Sequence, residues 1–210
     1  RVRLNAHMNR RQTAILVKHY KKALSTKKEC YFEGCQKDSI NSHILQKNGI
    51  LDQISEDSHV YYPTLDFFWE KGMKFERRSI NKVFTFKGFC NSHDTEIFKP
   101  IEKPDFDIED YNNQLLFYYR AAINEIWKKE SVIKLYNLLL HDSTLNVDTN
   151  KTQIRIKEQN QGINDIRFSM DKILSDLWNA SRQFKTHLIK LDFLPICSSG
   201  MFTYETTDEI

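Results

Sequence analysis

The stretch "FKGFCNSHDTEIF", Phe86 to Phe98, decides the fold. Upstream of it, "INKVFTFKGF" (80–89) alternates Val83, Thr85 and Lys87 against Phe84 and Phe86, the pattern of a strand, and Gly88 marks its end. "NSHDTEIF" then reads as a helix start, with Asn91 or Ser92 as cap and acids in the first turn. Cys90 and His93 therefore stand where a strand gives way to a helix, and residues three apart share a helical face. The matching pair lies in "CYFEGCQKDSINSHI", Cys30 to Ile44, where Cys30 and Cys35 bracket a tight turn eased by Gly34. Three thiolates and an imidazole make a standard tetrahedral zinc set, so Cys30, Cys35, Cys90 and His93 are the expected ligands of a structural Zn2+. The plainer alternative is four separate core residues.

Four cysteines also allow two disulfides. The chain shows no apolar start resembling a secretory signal, which points to a cytoplasmic, reducing compartment, where a metal is the better expectation. Cys197 stands apart and reads as an ordinary buried thiol. With 210 residues, 40% of them hydrophobic and 28% charged, the chain has a globular composition and room for one or two domains. No apolar run is long enough to span a bilayer, so no membrane partner is expected. Only six glycines and four prolines disfavour an all-β protein.

Residues 1–28 hold no acid and nine bases: Arg1, Arg3, Arg10, Arg11, Lys18, Lys21, Lys22, Lys27 and Lys28. Residues 1–7, before Met8, are set aside from the fold. Residues 10–24 read as a helix with an apolar stripe of Ala14, Val17 and Leu24. A one-sign stretch of this kind attracts phosphates, which makes Arg10, Arg11, Lys18, Lys21 and Lys22 candidate nucleic-acid contacts; the alternative is a solvated face. "INSHIL" (40–45) is a short strand. "HVYYPTLDFFW" (59–69) looks extended, and "FWEKGMKFERRS" (68–79) reads as a surface excursion.

After the proline-containing linker "KPIEKPDFD" (99–107), the pattern becomes helical. A long helix is expected over about 108–141, with Leu116, Tyr119, Ile123, Ile126, Ile133 and Leu140 at helical spacing. A second is expected over about 152–187, where Ile163, Ile166, Met170, Ile173, Leu177, Ala180 and Phe184 step by three and four as a heptad seam. A short loop between them implies an antiparallel hairpin. The seam packs within the chain or mediates self-association. The tail from His187 onward returns to strand-like composition.

Knuckle, strands and a helix carrying the last two ligands follow the order of a treble-clef zinc finger. The catalytic class of that finger is the HNH, or ββα-metal, nuclease family, which this segment resembles. "SHI" places His43 eight residues after Cys35, and Asp94 directly follows the ligand His93. The resemblance implies a general-base role for His43 on water or a ribose 2′-hydroxyl. It implies that Asp94 holds a divalent cation on the scissile phosphate or orients His43. Ser42 and Asp94 depart from the family's metal-binding residues, which turns the expectation from DNA toward metal-independent cleavage of RNA, whose 2′-hydroxyl is a built-in nucleophile. "SHI", "FCxxHD" and the long helices also look like a group of bacterial anti-phage zinc-finger RNases. That resemblance implies a homo-oligomeric defence effector switched on by a phage protein.

The expected fold is thus α+β, mainly α: a treble-clef (ββα-like) zinc finger followed by a long antiparallel helical hairpin. Its parts are a basic N-terminal helix (8–28), the HNH-like finger (29–104), the hairpin (105–190) and the start of a strand-rich segment (191–210). The competing functional expectation is a non-catalytic module, in which the finger is structural and the helices bind a protein partner or nucleic acid. A DNA-binding regulator is the weaker third reading, because no recognition-helix pattern flanks the finger. His59, His141 and His187 have no partners at recognisable spacing.

Overall fold

The computed structural model describes residues 8–26, 28–66 and 72–202. Lys27 of the basic stretch, residues 67–71 of the aromatic and surface segments, and 203–210 of the tail lie outside the described residues, as do Arg1 and Arg3. Helix α1 (Arg10–Leu24) opens on a capping box: Asn9 Oδ1 accepts from Gln12 N at 2.9 Å, and Gln12 Oε1 accepts from Asn9 N at 3.1 Å. Its buried residues are Thr13, Leu16 and Ala23, rather than the expected stripe. Ala14 is exposed, and Val17 and Leu24 are half-buried. The helix is turned so that Leu16 meets Leu135, Leu139 and Leu145, and a small alanine loses little by facing water.

A knuckle follows. Cys30 N donates to Lys37 O at 2.8 Å, and Cys35 N to Phe32 O at 3.1 Å. Gly34 sits at φ +74°, a backbone state that side chains with a Cβ disfavour. Strand β1 (Asn41–His43) pairs antiparallel with β4 (Thr85–Lys87), in the register Asn41↔Lys87, Ser42↔Phe86 and His43↔Thr85. Both strands are shorter than expected, because Phe84 turns to φ +52° and ends the alternation before it reaches Ile80.

Between β1 and β4 lie a π-helical turn (Lys47–Leu51) and a hairpin of β2 (His59–Leu65) and β3 (Met73–Ser79). The base of the hairpin packs with Leu45, Leu51, Val60, Ile80 and Val83. Its outer face leaves Tyr61, Leu65, Met73 and Phe75 between 50% and 73% exposed. The extended and surface readings of this segment both hold over its described residues.

Helix α2 (Asn91–Phe98) is capped by Cys90, not by Asn91 or Ser92; Asp94 N donates to Cys90 O at 2.9 Å. Helices α3 (Tyr111–Leu140) and α4 (Thr149–Asn179) begin on Asp110 and Asp148, each of which accepts a first-turn amide. They run antiparallel: Tyr111 at the start of α3 reaches Asp176 at the end of α4, while Lys129 lies beside Gly162 at mid-length. Ile163, Ile166 and Ile173 are buried in one core with Leu116, Tyr119, Ile123 and Ile126, so this seam packs within the chain. Ile133 and Leu140 are only half-buried, since the second half of α3 turns Leu135 and Leu139 toward α1.

The expected second helix is eight residues too long at its end. Asp176 is buried and accepts hydrogen bonds from the Ser181 and Tyr111 hydroxyls and from the amides of Gln183 and Phe184, at 2.7 and 3.0 Å. Burial opposes its charge, but these donors prevail and hold its carboxyl well below the usual range. Pulling two amides back onto residue 176 breaks the helix, and Ala180 takes a left-handed conformation. Residues 180–202 carry no helix or strand, so the composition of the tail is not matched by a strand among its described residues. No described helix is long and apolar enough to cross a membrane.

Candidate metal centre and the His43 face

The knuckle and the first turn of α2 bring Cys30, Cys35, Cys90 and His93 together, with all four ligand atoms within 4.8 Å of one another. The Nδ1 of His93 lies 3.3 Å from Cys30 Sγ and 3.5 Å from Cys90 Sγ, and the Cys35 and Cys90 sulfurs are 3.9 Å apart. A tetrahedron with zinc bond lengths has edges of about 3.8 Å between sulfurs and about 3.6 Å between sulfur and nitrogen. The set is therefore close enough to hold a metal ion and is compatible with structural zinc.

Burial pushes the Cys30 thiol up to about 11. At Cys90 burial acts the same way, but the amides of His93 and Ser92 and the adjacent thiols outweigh it and lower the thiol overall. A cation reverses the penalty at Cys30, because a coordinating thiol is deprotonated outright. The Phe32 ring lies 4.0 Å from the His93 ring and screens it from one side. Cys197 is away from this cluster, half-buried beside the base of the hairpin.

The pleat of β1 separates the two residues that the HNH resemblance singles out. Ser42 is buried, while Asn41 is exposed and His43 half-exposed on the other face. The imidazole of His43 is held through Nε2, 3.0 Å from the Ile80 carbonyl. A carbonyl only accepts, so Nε2 carries the proton and Nδ1 is left as the basic nitrogen.

Asp94 is on the inner side. Burial pushes its carboxyl up; the Arg120 charge and the Ser42 hydroxyl pull it down, Glu102 adds to the rise, and His43 lowers it further. Asp94 Oδ1 is buried with no partner among the described residues. The His43 charge thus reaches Asp94, but no hydrogen bond or ion pair joins them among the described residues; the group that orients His43 is the Ile80 carbonyl.

Three contributors were not anticipated from the sequence. Ser42 lies between Phe89 N, at 3.5 Å, and the Asp94 carboxylate. Ile80 is remote in sequence from His43. Arg120 of α3 is 1% exposed, lies 4.0 Å over the Phe98 ring and donates to Glu102 Oε1 at 2.7 Å. Only Arg120 had a visible signal: it is a charged residue inside an apolar stripe, between Tyr119 and Ala121.

Arg10, Arg11, Lys18, Lys21 and Lys22 are exposed on α1. Helix α1 packs on the Leu135–Leu139 end of α3, and its Tyr20 lies within electrostatic reach of Tyr62 on β2. No protein-family model, no characterised protein and no solved structure matches this chain.

Proposed function

We propose that this chain is a zinc-finger ribonuclease with Zn2+ as its structural metal and His43 as its general base. The observation that carries the reading is the anchored imidazole. With Nε2 committed to the Ile80 carbonyl, Nδ1 is the proton acceptor on a half-exposed strand face beside a Cys3His cluster. In this reading the finger is a treble clef of the HNH type. His43 removes the proton from a ribose 2′-hydroxyl, which attacks the adjacent phosphate to form a 2′,3′-cyclic phosphate, while the departing 5′-oxygen takes a proton from water.

Asp94 fits a supporting role better than that of a metal ligand. The two positions that hold a divalent cation in HNH nucleases are here a hydroxyl, Ser42, and one carboxylate, which already faces the Arg120 cation. A second metal is therefore not needed, and zinc acts by holding the knuckle and α2 in register. The bacterial anti-phage role, with homo-oligomeric assembly and a phage-protein activator, is the biological setting we propose for such an enzyme. The seam of α4 is already used within the chain, so any assembly surface lies elsewhere. The test is cleavage of a labelled RNA by the intact chain with and without His43→Ala, run in calcium- and magnesium-free buffer. Cleavage that needs His43 but no added divalent cation supports the reading. Cleavage that persists in the variant overturns it.

A second reading rests on a separate observation. The apolar outer face of the β2–β3 hairpin suits a protein partner, and a non-catalytic binding module would use it while the finger served only as scaffold.

A further inference from the structure

The basic helix expected to contact phosphates packs on the Leu135–Leu139 end of α3. Strand β4 meets α3 at Trp127, whose ring lies 6.2 Å from that of Phe86, whereas α1 meets α3 at Leu135 and Leu139. At the helical rise, Trp127 is about 12 Å from Leu135 and about 18 Å from Leu139 along the axis. Cations on the β1–β4 face itself sit closer to His43.

Two are present. The register of β1 and β4 puts Asn41, His43, Thr85 and Lys87 on the outward face, since Ser42 and Phe86 fill the inward one. Lys87 stands two residues from Thr85, the residue opposite His43, or about 7 Å along the strand. Lys47 approaches from the π-helical turn: its Nζ is 3.1 Å from Asn81 Oδ1, and Asn81 adjoins Ile80, whose carbonyl holds His43. This pair differs from the cations of the neighbouring hairpin in its partners. There Lys74 is paired with Asp66 and Glu76, Arg77 with Asp57, and Arg78 with Glu76. Lys47 and Lys87 make no ion pair among the described residues, and the contact of Lys47 is with a neutral amide oxygen.

We propose that Lys47 and Lys87 form the phosphodiester-binding site of the His43 face and hold single-stranded RNA on either side of the scissile bond. The assignment rests on the ribonuclease reading and names where its substrate lies. Two ammonium groups with no ion pair among the described residues neutralise adjacent phosphates, while the exposed Asn41 and the half-exposed Thr85 offer polar groups between them.

The test is an anisotropy titration of a short fluorescein-labelled single-stranded RNA against the full chain carrying His43→Ala. Adding Lys47→Ala and Lys87→Ala is expected to flatten the plot of log affinity against log salt by about 0.7 per lysine, or roughly sevenfold in affinity change between about 50 and 200 mM salt for the pair. Lys87→Arg, which keeps the charge, is expected to bind as well as the parent. Unchanged affinity and slope in the double-lysine variant overturn the assignment. So does a larger loss from Arg10→Ala with Arg11→Ala, and so does failure of the His43→Ala chain to bind RNA. Failure of the catalytic reading shows separately, as wild-type cleavage by the His43→Ala chain.

Discussion

The proposed structural zinc is tested by its removal, and the expected size of the loss sets it apart from any ordinary core substitution. A structural zinc contributes roughly 10–16 kcal/mol at neutral pH, as large as or larger than the about 5–15 kcal/mol by which a typical domain is stable. The finger is not an appendage here. Cys30 and Cys90 share one core with Phe89, Phe98 and Tyr119, and through Tyr119 with the helical pair. Phe89 is fully buried, with its ring 5.1 Å from Phe98 and 5.6 Å from Tyr119, so Phe89→Ala is expected to cost about 3–5 kcal/mol.

Cys30→Ala removes a smaller side chain from the same core. If no metal were bound, it would cost only about 1 kcal/mol, the transfer of a group of this size. With zinc bound, Cys30→Ala must exceed Phe89→Ala. The assay is denaturant unfolding followed by far-ultraviolet circular dichroism, alongside metal analysis of the purified chain and a melt in strong chelator. We expect about one zinc per chain. We also expect chelator to lower the melting temperature more than Phe89→Ala does. A chelator-insensitive melt, together with a Cys30→Ala cost below that of Phe89→Ala, would refute the reasoning.

Two further outcomes follow from local geometry. Gly34→Ala meets no atom within 4 Å but must adopt φ +74°, so it should lower stability by about 1–2 kcal/mol through the backbone alone, measured by the same denaturant assay. Asp142 is held down to about 2 by the Thr144 hydroxyl and by His19, whose Nε2 is 2.6 Å away. A carboxyl depressed on folding adds stability above its unfolded value near 3.8, and that share is lost as pH falls toward about 2. Thr144→Ala with His19→Gln should therefore flatten the acid limb of the melting profile between those values; an unchanged limb would sink the assignment.

The local parts of this fold were legible in the sequence, and the long-range parts were not. The spacing of Cys30, Cys35, Cys90 and His93 is a local signal, since each pair lies on one turn, and the structure brings all four together. The two long helices were equally plain from the 3.6-residue period. The end of α4 was hidden because Ala180 and Phe184 continue the apolar register, while the residue that stops the helix, Asp176, acts through amides and a Tyr111 hydroxyl brought to it by folding. The hairpin was hard to place because its strands alternate without burying both faces. The placement of His43 relative to Asp94 was hidden for a related reason. Sequence order puts both near members of the Cys3His cluster, but the pleat of β1 turns His43 outward, while Asp94 faces Ser42 and Arg120 and is reached by His43 through its charge. Arg120 comes from α3, so the helical pair completes the inner side of the finger.

The central claim is that the Nδ1 of His43 takes a proton from the RNA. It is tested most directly by chemical rescue. The His43→Ala chain, with its zinc content and melting temperature checked against the parent, is assayed for RNA cleavage with increasing free imidazole. The account predicts that cleavage falls by about 10²–10⁴-fold in the variant. It also predicts that imidazole restores part of the rate, with a pH dependence that follows the titration of the added base. Cleavage by His43→Ala at the parent rate, or a loss that no imidazole derivative repairs, would contradict it.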